Sequence, residues 1–362
     1  MAIGRQAAWC NSLRVPLLLW STSALTSLPR GIAPFERGQT SGADVAKQIR
    51  ARAEAAVTRA VRGGVRLCEL EFPPLLGDKT QFDDFDNVQV LNANQDWTIE
   101  FALPWSERLG KRCWVILPDR KEVEVARQAW PGKVYQRATL ASLAAAIAHA
   151  APAGGAGGAE TPLTLGFVGA LTGLLGSAAD KAVFGDKEAE EAWSPACDPA
   201  QLVFVVQPGE GGPIEDWLNV EKLYEATVGS APASPPARAA GADDAEEDGA
   251  DEEGEGPPAL VIVNGAIDKL RNGFYPPIFF RELGDCVQRF YSRVEPVYYL
   301  KPVIGGGVGG WLHRVYPEPW QIILQTPDDG DVLVAALDDR PTYLDALAMI
   351  QSAARDLKAK AK

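Results

Sequence analysis

Histidine is almost absent from this chain: His149 and His313 are the two in 362 residues. The five cysteines, Cys10, Cys68, Cys113, Cys197 and Cys286, never fall within three residues of one another. Zinc sites and redox dithiols need paired ligands at short spacing, and neither histidine has such a partner, so both chemistries are excluded at the level of motif. No GxSxG, HExxH or P-loop pattern occurs, which removes the serine-hydrolase elbow, the zincin helix and the Walker phosphate loop. With 46% apolar and 23% charged residues the composition is that of an ordinary globular protein. A wholly disordered chain, a collagen-like fibre and a multispanning membrane protein are therefore excluded.

The net charge of −13 is unevenly spread. Residues 231–258 hold nine acids against one base, Arg238, and residues 1–40 hold four arginines against Glu36. The remainder still carries −8. Such a body repels a phosphate backbone, so no nucleic-acid partner is expected.

No acid precedes Glu36, and serine and threonine recur between the scattered arginines. That is the composition of an organelle transit peptide, and residues 1–40 are read as one. The six-residue apolar run Val15 to Trp20 is shorter than the core of a secretory signal. A reducing compartment also suits an odd number of unpaired cysteines, with Cys68 and Cys113 sitting in apolar strand-like runs as small core residues.

From residue 44 the pattern alternates between helix and strand periods. Helices are predicted over 44–62, 87–108, 120–130, 214–227 and 277–291. Strands are predicted over 65–72, 112–117, 133–137, 201–207, 259–264 and 297–301. The runs LVFVVQ and ALVIVN are apolar at successive positions, as strands buried on both faces are. The order then changes: 310–316, 320–325 and 332–337 are strand-like with short turns between them, and a helix over 341–357 closes the chain. The expected fold is α/β, a Rossmann-like doubly wound sheet, mainly parallel, with a C-terminal antiparallel meander and a closing helix. One domain over 44–357 is expected, with 358–362 a tail.

Two insertions interrupt it. Residues 229–258 are Pro, Ala and acid without apolar periodicity, a solvated disordered loop. Residues 151–192 hold a Gly-Ala hinge and then Leu163 to Ala179, seventeen residues without a charge. That segment is short and Gly-rich for a transmembrane span, and is read as a loosely packed insertion or as a surface helix resting on a membrane or a partner.

Candidate sites are few. The acids of Asp78 to Asp86 lack the ligand spacing of a calcium loop and read as residues stabilising a helix N-terminus. The glycines of 305–310 follow a strand but precede another strand, so they form a turn and not a phosphate cradle. No metal and no cofactor is expected. One constellation stands out. Ligands of open parallel sheets bind beyond the carboxyl ends of the strands, and there the chain places Glu69, Glu71, Asp119, Gln207, Asn264 and Lys301. They are read as the lining of one crevice; the competing explanation is that strand exits are polar because loops follow them. Trp311, Tyr316 and Trp320 are read as a partner surface, with core packing as the alternative.

The stretches LCELEFPPLLGD, EDWLNVEKLYEAT, LVIVNG, FYPPIFFRELGDCVQRF, VEPVYYLKPV, VYPEPWQIILQ and LDDRPTY together resemble a plant and algal plastid family. It is defined by the domain of unknown function numbered nineteen ninety-five and includes the chloroplast LOW PSII ACCUMULATION-type proteins. Glu318 stands where the family's YPGPWQ block has Gly. The resemblance covers about 44–357 and implies a protein of the chloroplast stroma, touching the thylakoid peripherally, that supports biogenesis of photosynthetic complexes through protein partners. It supplies no catalytic residues. The alternative is a nucleotide- or metabolite-binding protein, an enzyme included, using the strand-exit crevice; the family's domain also occurs fused to a plastid adenylate kinase.

Overall fold

The computed structural model describes residues 42–73, 87–130, 137–150, 198–209, 214–229, 257–326 and 330–360. The segment 1–40, the acids of Asp78 to Asp86, the insertion 151–192 with Leu163 to Ala179, and 229–258 apart from its ends all lie outside the described residues.

In chain order the elements are α1 (Gly42–Arg62), β1 (Leu67–Glu71), α2 (Asn87–Leu109), β2 (Cys113–Leu117), α3 (Arg120–Ala129), β3 (Thr139–Ser142), α4 (Leu143–Ala150), β4 (Leu202–Val206), α5 (Glu215–Tyr224), β5 (Ala259–Val263), α6 (Ile267–Arg271), α7 (Arg281–Arg289), β6 (Glu295–Gly305), β7 (Val308–Val315), β8 (Trp320–Thr326), β9 (Gly330–Leu337) and α8 (Tyr343–Lys360). All nine strands join one sheet in the order β3-β2-β4-β5-β1-β6-β7-β8-β9. From β3 to β6 every neighbouring pair is parallel, and from β6 to β9 every pair is antiparallel. The fold is thus the mainly parallel α/β sheet with a terminal meander and closing helix that the alternation of periods implies.

Side-chain alternation sends each strand to two cores. In β4, Leu202, Phe204 and Val206 enter one core while Val203 and Val205 enter the other. β5 splits the same way, with Val261 and Val263 on the first side and Leu260 and Ile262 on the second. The first face is covered by α1, α2 and α3, through residues such as Ile49, Val57, Trp97, Phe101 and Val123. The second is covered by α4 to α7, through Leu143, Trp217, Ile267 and Leu283. The leftward steps β1 to β2 and β2 to β3 run over the first face. The rightward steps run over the second. That division is what uniformly handed crossovers demand.

Boundaries differ from the periodic reading at several elements, β6 for one running over Glu295–Gly305 and not 297–301. The strand expected over 133–137 falls largely outside the described residues, and the strand that pairs with β2 is Thr139–Ser142. The helix expected from Pro277 starts at Arg281, because the N–H groups of Phe279 and Phe280 both donate to Pro276 O at 3.0 and 3.1 Å and close a turn first. The closing helix continues through Lys360, three residues past its expected end.

The glycine run also finds its reason. Gly306 and Gly307, with φ of +63° and +76°, form the two-residue turn of the β6–β7 hairpin, a conformation glycine adopts without a steric cost. Gly310 answers to packing. A Cβ there would stand 2.0 Å from the Ile323 carbonyl oxygen on β8 and 2.8 Å from Ile350 on α8. Gly310→Ala is expected to destabilise the fold by about 1–3 kcal/mol, the usual cost of overpacking a closed core; a urea denaturation midpoint equal to wild type would show that β7 and β8 separate freely.

Candidate functional site

The strand exits form two clusters, with Asp119 apart from both, and not one crevice. The first joins β1, β4 and β5 to α2. Asn264 Nδ2 donates to Asn94 Oδ1 at 2.6 Å, Asn94 Nδ2 donates to Gln207 Oε1 at 2.5 Å, and the Phe72 N–H donates to Asn264 Oδ1 at 2.9 Å. All three carboxamides are buried. A carboxamide both donates and accepts, so a chain of them satisfies itself where the strand ladder stops. The main chain contributes as well, with Gln207 N–H on Val263 O and Asn264 N–H on Leu70 O, both at 2.8 Å. Gln207, Asn264 and Ala266 hold φ of +46°, +48° and +49°, the left-handed region that non-glycine residues occupy at a cost.

The second cluster lies on the other face of the sheet. Glu69 on β1 has no exposed surface. Its Oε2 is 2.6 Å from Arg271 Nη1 on α6 and 3.5 Å from Arg340 Nη1, while Oε1 is buried and accepts no hydrogen bond. Arg340 also pairs with Asp268. Asp268 takes Lys301 Nζ at 2.9 Å and the Tyr299 hydroxyl at 2.6 Å. The Arg340 guanidinium lies 4.4 Å from the Tyr299 ring centroid and 5.0 Å from that of Trp320. Burial opposes the charge on Asp268, but Arg340, Lys301 and the Tyr299 hydroxyl outweigh it and hold the carboxyl below its usual range. Lys301 is likewise raised: burial works against its charge, and Asp268 and Glu71 more than restore it.

Asp119 belongs to neither cluster. Its Oδ1 accepts the Glu122 N–H at 2.9 Å and caps α3. It faces Asp216 on α5, whose carboxyl is pushed up to about 6 by burial first, then by Glu215 and Asp119; a bond from the Gly209 N–H works the other way. The exits of β2 and β4, which lead to helices on opposite faces, meet here, at the switch point of the sheet.

Of the six residues read as one lining, the structure therefore ties Gln207 to Asn264 through Asn94, sets Glu71 near Lys301, links Glu69 to Lys301 through Arg340 and Asp268, and leaves Asp119 apart. Sequence reasoning missed Asn94, Asp268, Arg271, Tyr299 and Arg340. The partner surface is corrected. Trp311 and Trp320 are 6% and 2% exposed, because they sit on opposite faces of the meander under packed helices, and Tyr316 is half-buried against α1. Among the described residues the most exposed large apolar side chains are instead Phe274, Ile278, Phe279 and Leu344.

Cys68, Cys113 and Cys286 are buried free thiols, and burial pushes Cys113 and Cys286 up to about 12. His313 is buried with its Nδ1 3.1 Å from Gln321 Oε1, and burial lowers it to about 4, so it is neutral at physiological pH. Among the described residues no group of three or more His, Cys, Asp or Glu is placed to hold a metal.

The sequence profile of a domain of unknown function (DUF1995) matches residues 44–347, most of the chain and every strand of the sheet. The chain belongs to the DUF1995 family. No curated protein and no solved structure matches it. The match takes in the whole of both DUF1995 clusters, from Glu69 to Arg340, and stops within α8.

Two measurements test these assignments. Arg340→Ala removes one cation from each of two largely buried carboxylates, leaving Arg271 on Glu69 and Lys301 on Asp268, and a loss of about 2–3 kcal/mol is expected by chemical denaturation. Arg340→Lys should not restore it, because an ammonium lacks the planar fork and the ring stacking. For Asp216 the folded value lies above the unfolded one near 3.9, so its ionisation weakens the fold as pH rises from about 4 through 6. Asp216→Asn should therefore melt higher than wild type at pH 7.5 and equally at pH 4; a difference that grows on acidification would reverse the assignment.

Proposed function

We propose that this DUF1995 chain is a non-enzymatic chloroplast factor that supports biogenesis of photosynthetic complexes, photosystem II above all, in which the sheet is a scaffold. The observation that supports this reading is the internal closure of the strand exits. Gln207 and Asn264 are tied through Asn94, and Lys301 is tied to Asp268, so the polar groups nearest the usual ligand position are spent on one another. A general base or nucleophile needs a free partner for a substrate atom, and these groups face each other. The transit-like start and the plastid family likeness supply the compartment: the stroma, with peripheral contact at the thylakoid, to which Leu163 to Ala179 would contribute.

A second reading, a nucleotide- or metabolite-binding protein, is favoured by one observation. Three non-glycine residues in the left-handed region cluster at the exits of β4 and β5, and strained backbone concentrates at ligand sites. Thermal shift with nucleoside phosphates separates the two: a saturable stabilisation would favour the second.

The test of the first is loss of function. In a photosynthetic host lacking the protein, photosystem II should accumulate to a fraction of its normal level, and the full chain should restore it. Affinity purification from chloroplasts should return photosystem II assembly intermediates. Normal photosystem II levels in the deficient host would sink the proposal.

A further inference from the structure

The turn between α6 and α7 is anchored from within and apolar without. Tyr275 meets Trp217 edge-on with ring centroids 5.1 Å apart, and Phe280 meets Tyr275 at 5.3 Å. With two N–H groups on Pro276 O and the fixed φ of Pro276 and Pro277, the backbone is rigid. From this support Phe274, Ile278 and Phe279 project into solvent at 69%, 84% and 79% exposure. Apolar side chains scattered singly over a surface need no explanation, but three on one rigid turn do.

Charge and area narrow what covers them. From Asn272 to Arg281 there is no acid and one base, Arg281, in a chain of net charge −13. Three such side chains present roughly 450 Å² of apolar surface, about half of the ~800 Å² per partner that a stable pair of proteins buries. Self-association through this turn alone falls short. A bilayer interface requires no matching concavity, only apolar side chains on a firm base with no carboxylate to desolvate.

We propose that the 272–281 turn docks the protein on a lipid surface, seating Phe274, Ile278 and Phe279 among uncharged head groups. The acidic body sets that preference, since an anionic leaflet repels it. Among the described residues no helix is long and apolar enough to cross a membrane, so the contact rests on the bilayer and does not span it. This inference stands apart from the assembly role above, because vesicle binding and photosystem II accumulation are read separately.

The experiment is co-sedimentation of the full chain with vesicles of pure phosphatidylcholine, and with vesicles containing added phosphatidylglycerol. Wild type should pellet with the first, no better with the second, and high salt should not release it, because the hydrophobic term is unscreened. The triple variant Phe274→Ser, Ile278→Ser, Phe279→Ser should bind about tenfold more weakly or less, each large apolar side chain being worth a sizeable part of the transfer energy. Its melting temperature should fall only slightly, since Ile278 and Phe279 are largely exposed and Phe274 meets the anchoring Tyr275 ring at 5.1 Å. Wild type that stays in the supernatant with phosphatidylcholine overturns the proposal. So does a folded triple variant that still pellets, or binding confined to anionic vesicles and abolished by salt. Should the triple variant unfold, Ile278→Asp alone, the most exposed position, replaces it under the same criteria.

Discussion

Glu69 is a carboxylate with no exposed surface on a strand that has parallel neighbours on both sides. A buried charge of that kind is tolerated only when opposite charges reach it, and here they come from outside the sheet. Arg271 arrives from α6 and Arg340 from the turn before α8. Asp268 and Lys301 complete a set in which each charge is balanced by its neighbours. The arrangement joins the parallel half of the sheet to the meander, since β1, β6, α6 and the approach to α8 all contribute one member or more. Acid titrates it in a definite direction. Asp268 lies below its unfolded value, so its stabilisation is present at neutral pH and is lost as pH falls through the folded value.

The same logic governs the other face. A sheet buried on both sides has no water to offer the groups at its carboxyl end, so Asn94, Gln207 and Asn264 satisfy each other. Doubly wound proteins that bind ligands leave this end open. Here the place is occupied by carboxamides on one side and by Trp217 on the other, whose Nε1 donates to Gly265 O at 3.1 Å. Exposed apolar surface lies instead at the α6–α7 turn, in Phe274, Ile278 and Phe279. A groove of about 540 Å³ lies along α5, bordered by Leu218, Glu221 and Arg289.

Much of this was legible in the chain, and the exceptions have physical causes. Most strands and helices of the parallel half follow from apolar runs and helix periods, because both register burial directly, but their order in the sheet does not. Asn94 was missed although the chain carries a signal for it: Asn94, Trp97, Thr98, Phe101, Ala102 and Trp105 are all buried and share one helical stripe that faces the sheet. Arg340 carries no such signal, because it sits in a turn without periodicity and its partners are remote in sequence. Asp268 and Arg271 lie on the five-residue α6, too short to give a period. Trp311 and Trp320 misled for the opposite reason. A meander covered on both faces buries its aromatics as fully as its aliphatics, and residue type alone does not separate the two outcomes.

The position of β1 has a consequence for how the chain reaches this state. It is the first strand made, yet both of its neighbours, β5 and β6, come from beyond residue 258, and Phe72 bonds to Asn264 across 192 positions. A chain emerging from a ribosome at ~5–20 residues per second therefore holds β1 unpaired for roughly 10–40 s, and a chain threaded amino-end first through a translocation pore faces the same wait. During that interval Leu67, Cys68 and Leu70, all buried in the finished molecule, have no sheet to enter. Helices α1 and α2, made before β5, lie on the face that takes Cys68 and Leu70, whereas Leu67 faces the other core. A protein built in this order depends on protection of β1 until β5 and β6 have been made.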